Sequence, residues 1–168
     1  MSDEANGRVP GDAPVVIVMG SASDRAHGDT IARALAGFGI DSEIRIASAH
    51  KVTRYLADML DAYEASGVPR VWITIAGRSN ALSGVVDANV SGPVIACPPA
   101  SDRFGGMDIL STLRMPGGVA PLLVLEPEAA ALAAAKILGV GDPALAATVE
   151  AYHETLRERA LEADLDAE

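Results

Sequence analysis

Apolar residues gather in four short, unbroken runs: Val15–Met19, Val71–Ile75, Val94–Cys97 and Leu122–Leu125. A strand covered on both faces reads this way, because neither side of its pleat meets water. A fifth run, Glu43–Ala47, alternates charge with isoleucine and fits a strand nearer a sheet edge. Between the runs the apolar period lengthens to that of a helix. Asp24 to Phe38 sets Ile31, Ala34, Leu35 and Phe38 on one stripe, and Gly39 stops it. Thr53 to Ser66 repeats the pattern with Leu56, Met59, Leu60 and Tyr63 before Gly67. Asn80 to Asn89 is a shorter helix, and Ser111 to Gly118 a short turn of helix closing in Pro-Gly-Gly. Pro127 to Leu138 is Ala-rich, and a last helix runs from Pro143 to about Ala163, with Asp142 as its cap.

Strands and helices alternate five times. That order predicts a three-layer α/β/α fold around a five-stranded parallel sheet, with right-handed crossovers and strand order 2-1-3-4-5. An extra C-terminal helix lies beyond the fifth unit, to pack on the sheet's helices or to reach a neighbouring subunit. Residues 1–13 are polar and aperiodic and are expected to form a flexible tail. Residues 14–139 are expected to form the α/β domain, and residues 140–168 a helical extension.

Composition narrows the function. The 168 residues suit one domain, and aromatics make up only 4%, so the core is aliphatic. A net charge of −10 disfavours nucleic acid and anionic membranes as partners, although a local site can still hold a small phosphorylated ligand. Cys97 is the one cysteine, so no intrachain disulfide forms. No apolar run reaches the length of about 18 residues that a membrane span needs. The first residues lack a signal-peptide pattern, so a cytoplasmic location is expected.

Ligands of such folds bind where the strands end. Four exits carry unusual sequences: Gly20-Ser21-Ala22-Ser23-Asp24, Ser48-Ala49-His50-Lys51, Ala76-Gly77-Arg78-Ser79-Asn80 and Cys97-Pro98-Pro99. The first meets a helix N-terminus, where backbone N–H groups and two hydroxyls suit an anion and Asp24 suits ribose hydroxyls. Read alone, Ser23 or Asp24 is equally a helix cap. His50 is a candidate proton carrier at neutral pH, or an ordinary loop histidine. Arg78 offers a planar fork to carboxylate or phosphate, while Asn80 is also a plausible N-cap. His27 and His153 read as surface or packing residues, Cys97 as a buried structural thiol, and Arg114 as a further ligand contact. No metal-ligand spacing and no nucleophile elbow is present, so neither a metal nor an organic cofactor is expected.

These segments resemble the PurE family of aminoimidazole ribonucleotide carboxylases and mutases, over roughly Val15 to Leu138. Gly20 to Asp24 is similar to the family's GSxSD loop, and Ser48 to Lys51 to its SAH[RK] loop. The mutase branch carries a second histidine in its third loop, where Ala81 stands here. Ala76 to Asn80 with Leu82, Lys51, Cys97-Pro98-Pro99 and Ser111 to Pro116 are instead similar to the carboxylase branch (class II), with Ala81 in place of its glycine. The resemblance implies 5-aminoimidazole ribonucleotide (AIR) and CO2 as substrates and 4-carboxy-5-aminoimidazole ribonucleotide (CAIR) as product, in purine synthesis. It implies His50, Ser48 and Lys51 as catalytic residues. Substrate binding falls to Gly20, Ser21, Ser23, Asp24, Ala49, Gly77, Arg78, Ser79, Asn80 and Leu82. It also implies a homo-octamer with sites at subunit contacts. The alternatives are the mutase reaction, from the N5-carboxylated nucleotide to CAIR, and, more distantly, a non-catalytic nucleotide-binding module.

Overall fold

The computed structural model describes residues 10–166. Its five strands are β1 (Val15–Met19), β2 (Ser42–Ile46), β3 (Val71–Ile75), β4 (Val94–Ala96) and β5 (Leu122–Leu123). They form one parallel sheet in the expected order, β2-β1-β3-β4-β5. Helices α1 (Arg25–Gly37) and α5 (Pro127–Gly139) cover one face, and α2 (Thr53–Ala65) and α3 (Ala81–Asp87) the other. Helix α4 (Leu110–Leu113) follows a stretch of 3-10 geometry at Arg103–Ile109, and α6 (Pro143–Leu165) closes the chain.

The two faces differ in how they are filled. Under α1 and α5 the core is small and aliphatic: Ala130, Ala131, Ala134 and Ala135 are fully buried beside Ile17, Ile31 and Ile73. Gly28 of α1 sits so close to β1 that an added Cβ would lie 2.8 Å from Met19 Sδ. Under α2 and α3 the core holds Trp72 and Tyr63, packed edge to face at 5.3 Å. The Tyr63 ring lies between two arginines, with Arg45 at 5.4 Å and Arg70 at 5.0 Å from its centre.

β2 is an edge strand, as its alternation predicts, but its charges are not left to water. Arg45 is buried, donates to Tyr63 Oη at 2.8 Å and Tyr55 Oη at 3.2 Å, and pairs with Glu43. β5 departs from the sequence reading. Only Leu122 and Leu123 form the strand, and Leu122 and Leu125 are about half exposed, because among the described residues nothing pairs with its outer edge. The short helix expected over residues 111–118 begins earlier and ends at Leu113.

Helix α6 is capped by Asp142, whose carboxylate accepts from Ala144 N–H at 2.9 Å and Leu145 N–H at 3.2 Å. It docks on α5 through buried Val149 and on Phe38 through Tyr152, edge to face at 5.2 Å. Of the expected tail, residues 1–9 lie outside the described residues. Gly11 is pinned, donating to Glu43 Oε2 at 3.2 Å and accepting from Arg70 Nη2 at 2.7 Å.

Ile17 is fully buried at the centre of the sheet. Ile17→Ala is expected to cost about 2–5 kcal/mol of stability. A denaturant titration checks it: the midpoint should fall while the slope stays unchanged, and an unmoved midpoint would contradict a close-packed centre.

Candidate active site

Sheet hydrogen bonding runs one residue past the ends of the central strands. Ala47 N–H donates to Met19 C=O at 2.9 Å, Gly20 N–H to Ile75 C=O at 2.8 Å, and Cys97 N–H to Thr74 C=O at 2.8 Å. These rungs hold four strand exits at one rim. Between them lies a cleft of about 680 Å³. The first and third exits lie side by side, with a Cβ at Gly20 placed 3.4 Å from Ala76 Cβ.

Twelve of the thirteen catalytic and substrate-binding residues that the resemblance implies line this cleft: Gly20, Ser21, Ser23, Asp24, Ser48, Ala49, His50, Lys51, Gly77, Arg78, Ser79 and Leu82. Asn80 does not. It is buried, its Oδ1 accepts from Ser83 N–H at 3.2 Å as the cap of α3, and its Nδ2 donates to Thr112 Oγ1 at 3.0 Å. Ala76, Pro99, Ser101 and Arg103 complete the lining. Arg103 went unnoticed in the sequence because it follows β4 by seven residues. Its one signal was that it continues the Pro98-Pro99 exit. Arg114 is exposed and lies outside the cleft.

Local bonds shape each loop. Ser21 Oγ accepts from Ser23 N–H at 3.2 Å and from Ser23 Oγ at 2.8 Å, so Ser21 caps the turn at Ala22–Asp24. Asp24 precedes α1 but makes no side-chain cap bond; its Oδ1 accepts from Ser23 Oγ at 3.4 Å. Ser48 folds the second loop back on itself. Its Oγ accepts from Lys51 N–H at 3.3 Å and its carbonyl from Val52 N–H at 3.0 Å, while Thr53 Oγ1 donates to the Ala49 carbonyl at 2.6 Å. His50 stands exposed at the tip of that turn.

Lys51, Arg78 and Arg103 face a single carboxylate, Asp24, around the cleft. The site therefore attracts anions although the chain carries a net charge of −10. An imidazole able to move a proton stands in the same cleft as an anion-binding turn. That pairing suits proton transfer on a bound phosphorylated molecule.

Cys97 lies beneath the rim. Its Sγ is 3.3 Å from His27 Nε2 and 3.6 Å from the Leu125 carbonyl oxygen, so His27 is engaged in packing. Burial, with the carboxylates of Glu126 and Glu128 nearby, pushes the Cys97 thiol up to about 12. Among the described residues no three His, Cys, Asp or Glu side chains gather into a metal-ion site. No helix there is long and apolar enough to cross a membrane.

Residues 14–159 match the family model described as AIR carboxylase. The chain is 53% identical over 150 residues to phosphoribosylaminoimidazole carboxylase of Treponema denticola, covering 89% of this chain and 94% of that one. It is 54% identical over 149 residues to phosphoribosylaminoimidazole carboxylase of Archaeoglobus fulgidus, covering 89% and 82%. Among solved structures, the crystal structure of Treponema denticola PurE superposes with a TM-score of 0.89 at 52% identity, covering 90% of this chain and 96% of that one.

A thiol raised to about 12 is protonated at pH 8, where only its anion would react. Cys97 in the native protein should therefore resist iodoacetamide at pH 8 and be alkylated once the chain is unfolded. Mass spectrometry of the two samples reads this directly, and rapid native labelling would contradict the burial described.

Proposed function

The chain belongs to the AIR carboxylase family, and we propose that it carries out the reversible carboxylation of AIR by CO2 to CAIR, in the de novo purine pathway. The observation that carries this reading is the shared cleft, with His50 facing the Gly20–Asp24 turn and both belonging to the family's motifs. The two similar carboxylases named above support the CO2-using branch, as does Ala81 where the mutase pattern has its second histidine.

In this reading the turn at Gly20, Ser21 and Ser23 takes the phosphate at the start of α1, and the Asp24 carboxylate takes ribose hydroxyls. Ala49, Gly77, Ser79 and Leu82 bound the space for the imidazole ring. Lys51 and Arg78 offset the negative charge of phosphate and carboxylate. The electron-rich C4 attacks CO2, forming a C–C bond while one C=O pair moves onto oxygen. C4 then bears both a hydrogen and a carboxylate. Neutral His50 removes that proton, the C–H electrons restore the aromatic ring, and the imidazolium passes its proton to water. Decarboxylation runs the same path backward, with His50 as the acid. Ser48 acts on His50 through the turn it closes.

CO2 offers little surface to bind, so the catalytic cleft has to close around it. His50 and Lys51 are exposed in a single chain. Leu110, Leu113, Leu122 and Leu125 also leave much apolar surface uncovered, beside the β5 edge. Both features favour a homo-oligomer, the octamer implied by the family, in which a neighbour completes the site.

Absorbance-monitored decarboxylation of CAIR tests the reading. His50→Asn is expected to slow it by about 100- to 10,000-fold, the usual contribution of a positioned acid or base, while nucleotide binding persists. A near-normal rate in that variant would remove His50 from the mechanism. Supplying AIR with bicarbonate, or the N5-carboxylated nucleotide, separates the branches. Turnover of the second alone assigns the mutase reaction.

A further inference from the structure

Arg78 carries an unusual backbone for an arginine, with φ at +59°. Left-handed geometry costs a residue with a Cβ, and glycine is its ordinary occupant. Here the preceding residue is a glycine, yet the turn falls on Arg78. A glycine at 78 would fit the backbone and would lack the guanidinium that the cleft needs. The strain is therefore held from outside the loop, by a segment some thirty residues further along the chain.

Asp108 Oδ2 accepts from Arg78 N–H at 3.2 Å. Ser111 Oγ lies 3.1 Å from the Arg78 carbonyl oxygen and 2.8 Å from the Asp108 carbonyl oxygen, sharing its proton between them, and accepts from Asn80 N–H at 3.0 Å. Both peptide groups of the strained residue are thus engaged, and the next rung belongs to Thr112 through Asn80. Phe104, Gly105 and Gly106 are all left-handed, at φ +52°, +63° and +78°, and turn the chain back toward Arg78. Asp108 lines an adjoining cavity of about 260 Å³ that shares Ala76, Gly77, Arg78, Pro99 and Ser101 with the cleft, and Asp108 is not among the residues lining the cleft itself. Asp108 therefore acts from behind the loop and not on the bound molecule.

We infer that Asp108, seconded by Ser111, is a positioning residue that holds Arg78 in its left-handed turn and so aims the guanidinium at the substrate's anionic groups. This rests on the proposed function for the identity of the substrate, but not for the clamp itself. A hydrogen bond from a strained peptide to a carboxylate is strong enough to fix the turn. Asparagine at 108 keeps an acceptor oxygen in place, and alanine removes it.

The test is steady-state CAIR decarboxylation by the full chain, with melting curves as the folding control. Asp108→Ala should raise KM by about tenfold or more and leave kcat within about threefold, because Arg78 serves binding. Asp108→Asn should keep KM within about threefold of the parent. In an Arg78→Gly background, which has neither strain nor guanidinium, adding Asp108→Ala should change KM by less than about twofold. A role in folding alone would lower the melting temperature and the active fraction, and so kcat, with KM unmoved, while a KM effect that persists undiminished in the Arg78→Gly background would place Asp108 outside the clamp; either result overturns the inference. So does an unchanged KM in Asp108→Ala, or an Asp108→Asn variant as impaired as the alanine. If Asp108→Ala does not fold, Ser111→Ala carries the same comparison. Amide hydrogen exchange at Arg78 separates the two claims. Exchange should quicken in the variant even if the parent turns over no CAIR, and unaltered exchange beside an active parent removes the clamp alone.

Discussion

The site depends on hydrogen bonding that outruns the strands. A parallel sheet must pair the backbone groups its buried strands present, and here the pairing continues through Met19 with Ala47, Gly20 with Ile75 and Thr74 with Cys97. Loops that leave a sheet at one level and on one edge have to meet one another. Four loops with no sequence proximity thereby become the walls of one cleft. Gly20 lies against the third exit, where a Cβ would be in contact with Ala76 at 3.4 Å.

Beneath the rim, two faces are stiffened in different ways. On one, α5 presents alanines that let helix and sheet approach closely, and Gly28 does the same for α1. On the other, bulk and charge are combined. Arg70 donates to the Tyr63 and Val68 carbonyls and to Ser66, while Arg45 is held by two tyrosine hydroxyls beside Glu43. Buried arginines are tolerated when most of their donors find acceptors, and these find several, although Arg70 Nε is buried without one. Burial and a hydrogen bond to Glu43 push the Tyr63 hydroxyl up to about 12, so it stays protonated as a partner to both neighbours at neutral pH.

Charge follows the same division. The chain as a whole is strongly acidic, yet the cleft gathers Lys51, Arg78 and Arg103 around one carboxylate. Solvent screens the distant acids, whereas groups across a narrow cleft act at close range. A phosphorylated ligand therefore meets a local field opposite in sign to the net charge, and the acidic exterior remains unattractive to polyanions.

Sequence alone determined the architecture and named most of the residues that line the cleft. Unbroken apolar runs alternating with helical stripes leave few alternatives to a doubly covered parallel sheet. Such a sheet commits every strand exit to one rim, so loop chemistry could be assigned before any coordinates. The C-terminal helix was legible from Asp142 and Pro143, although not its docking through Val149 and Tyr152. What only the tertiary structure decided lies in contacts between residues far apart in the chain. Asn80 became a cap bonded to Thr112, Arg103 swung into the cleft, β5 formed over only two residues, and Asp108 came to hold Arg78. The reason is physical: periodicity records which side of an element is buried, while a left-handed turn or a carboxylate facing a peptide thirty residues away leaves no period to read.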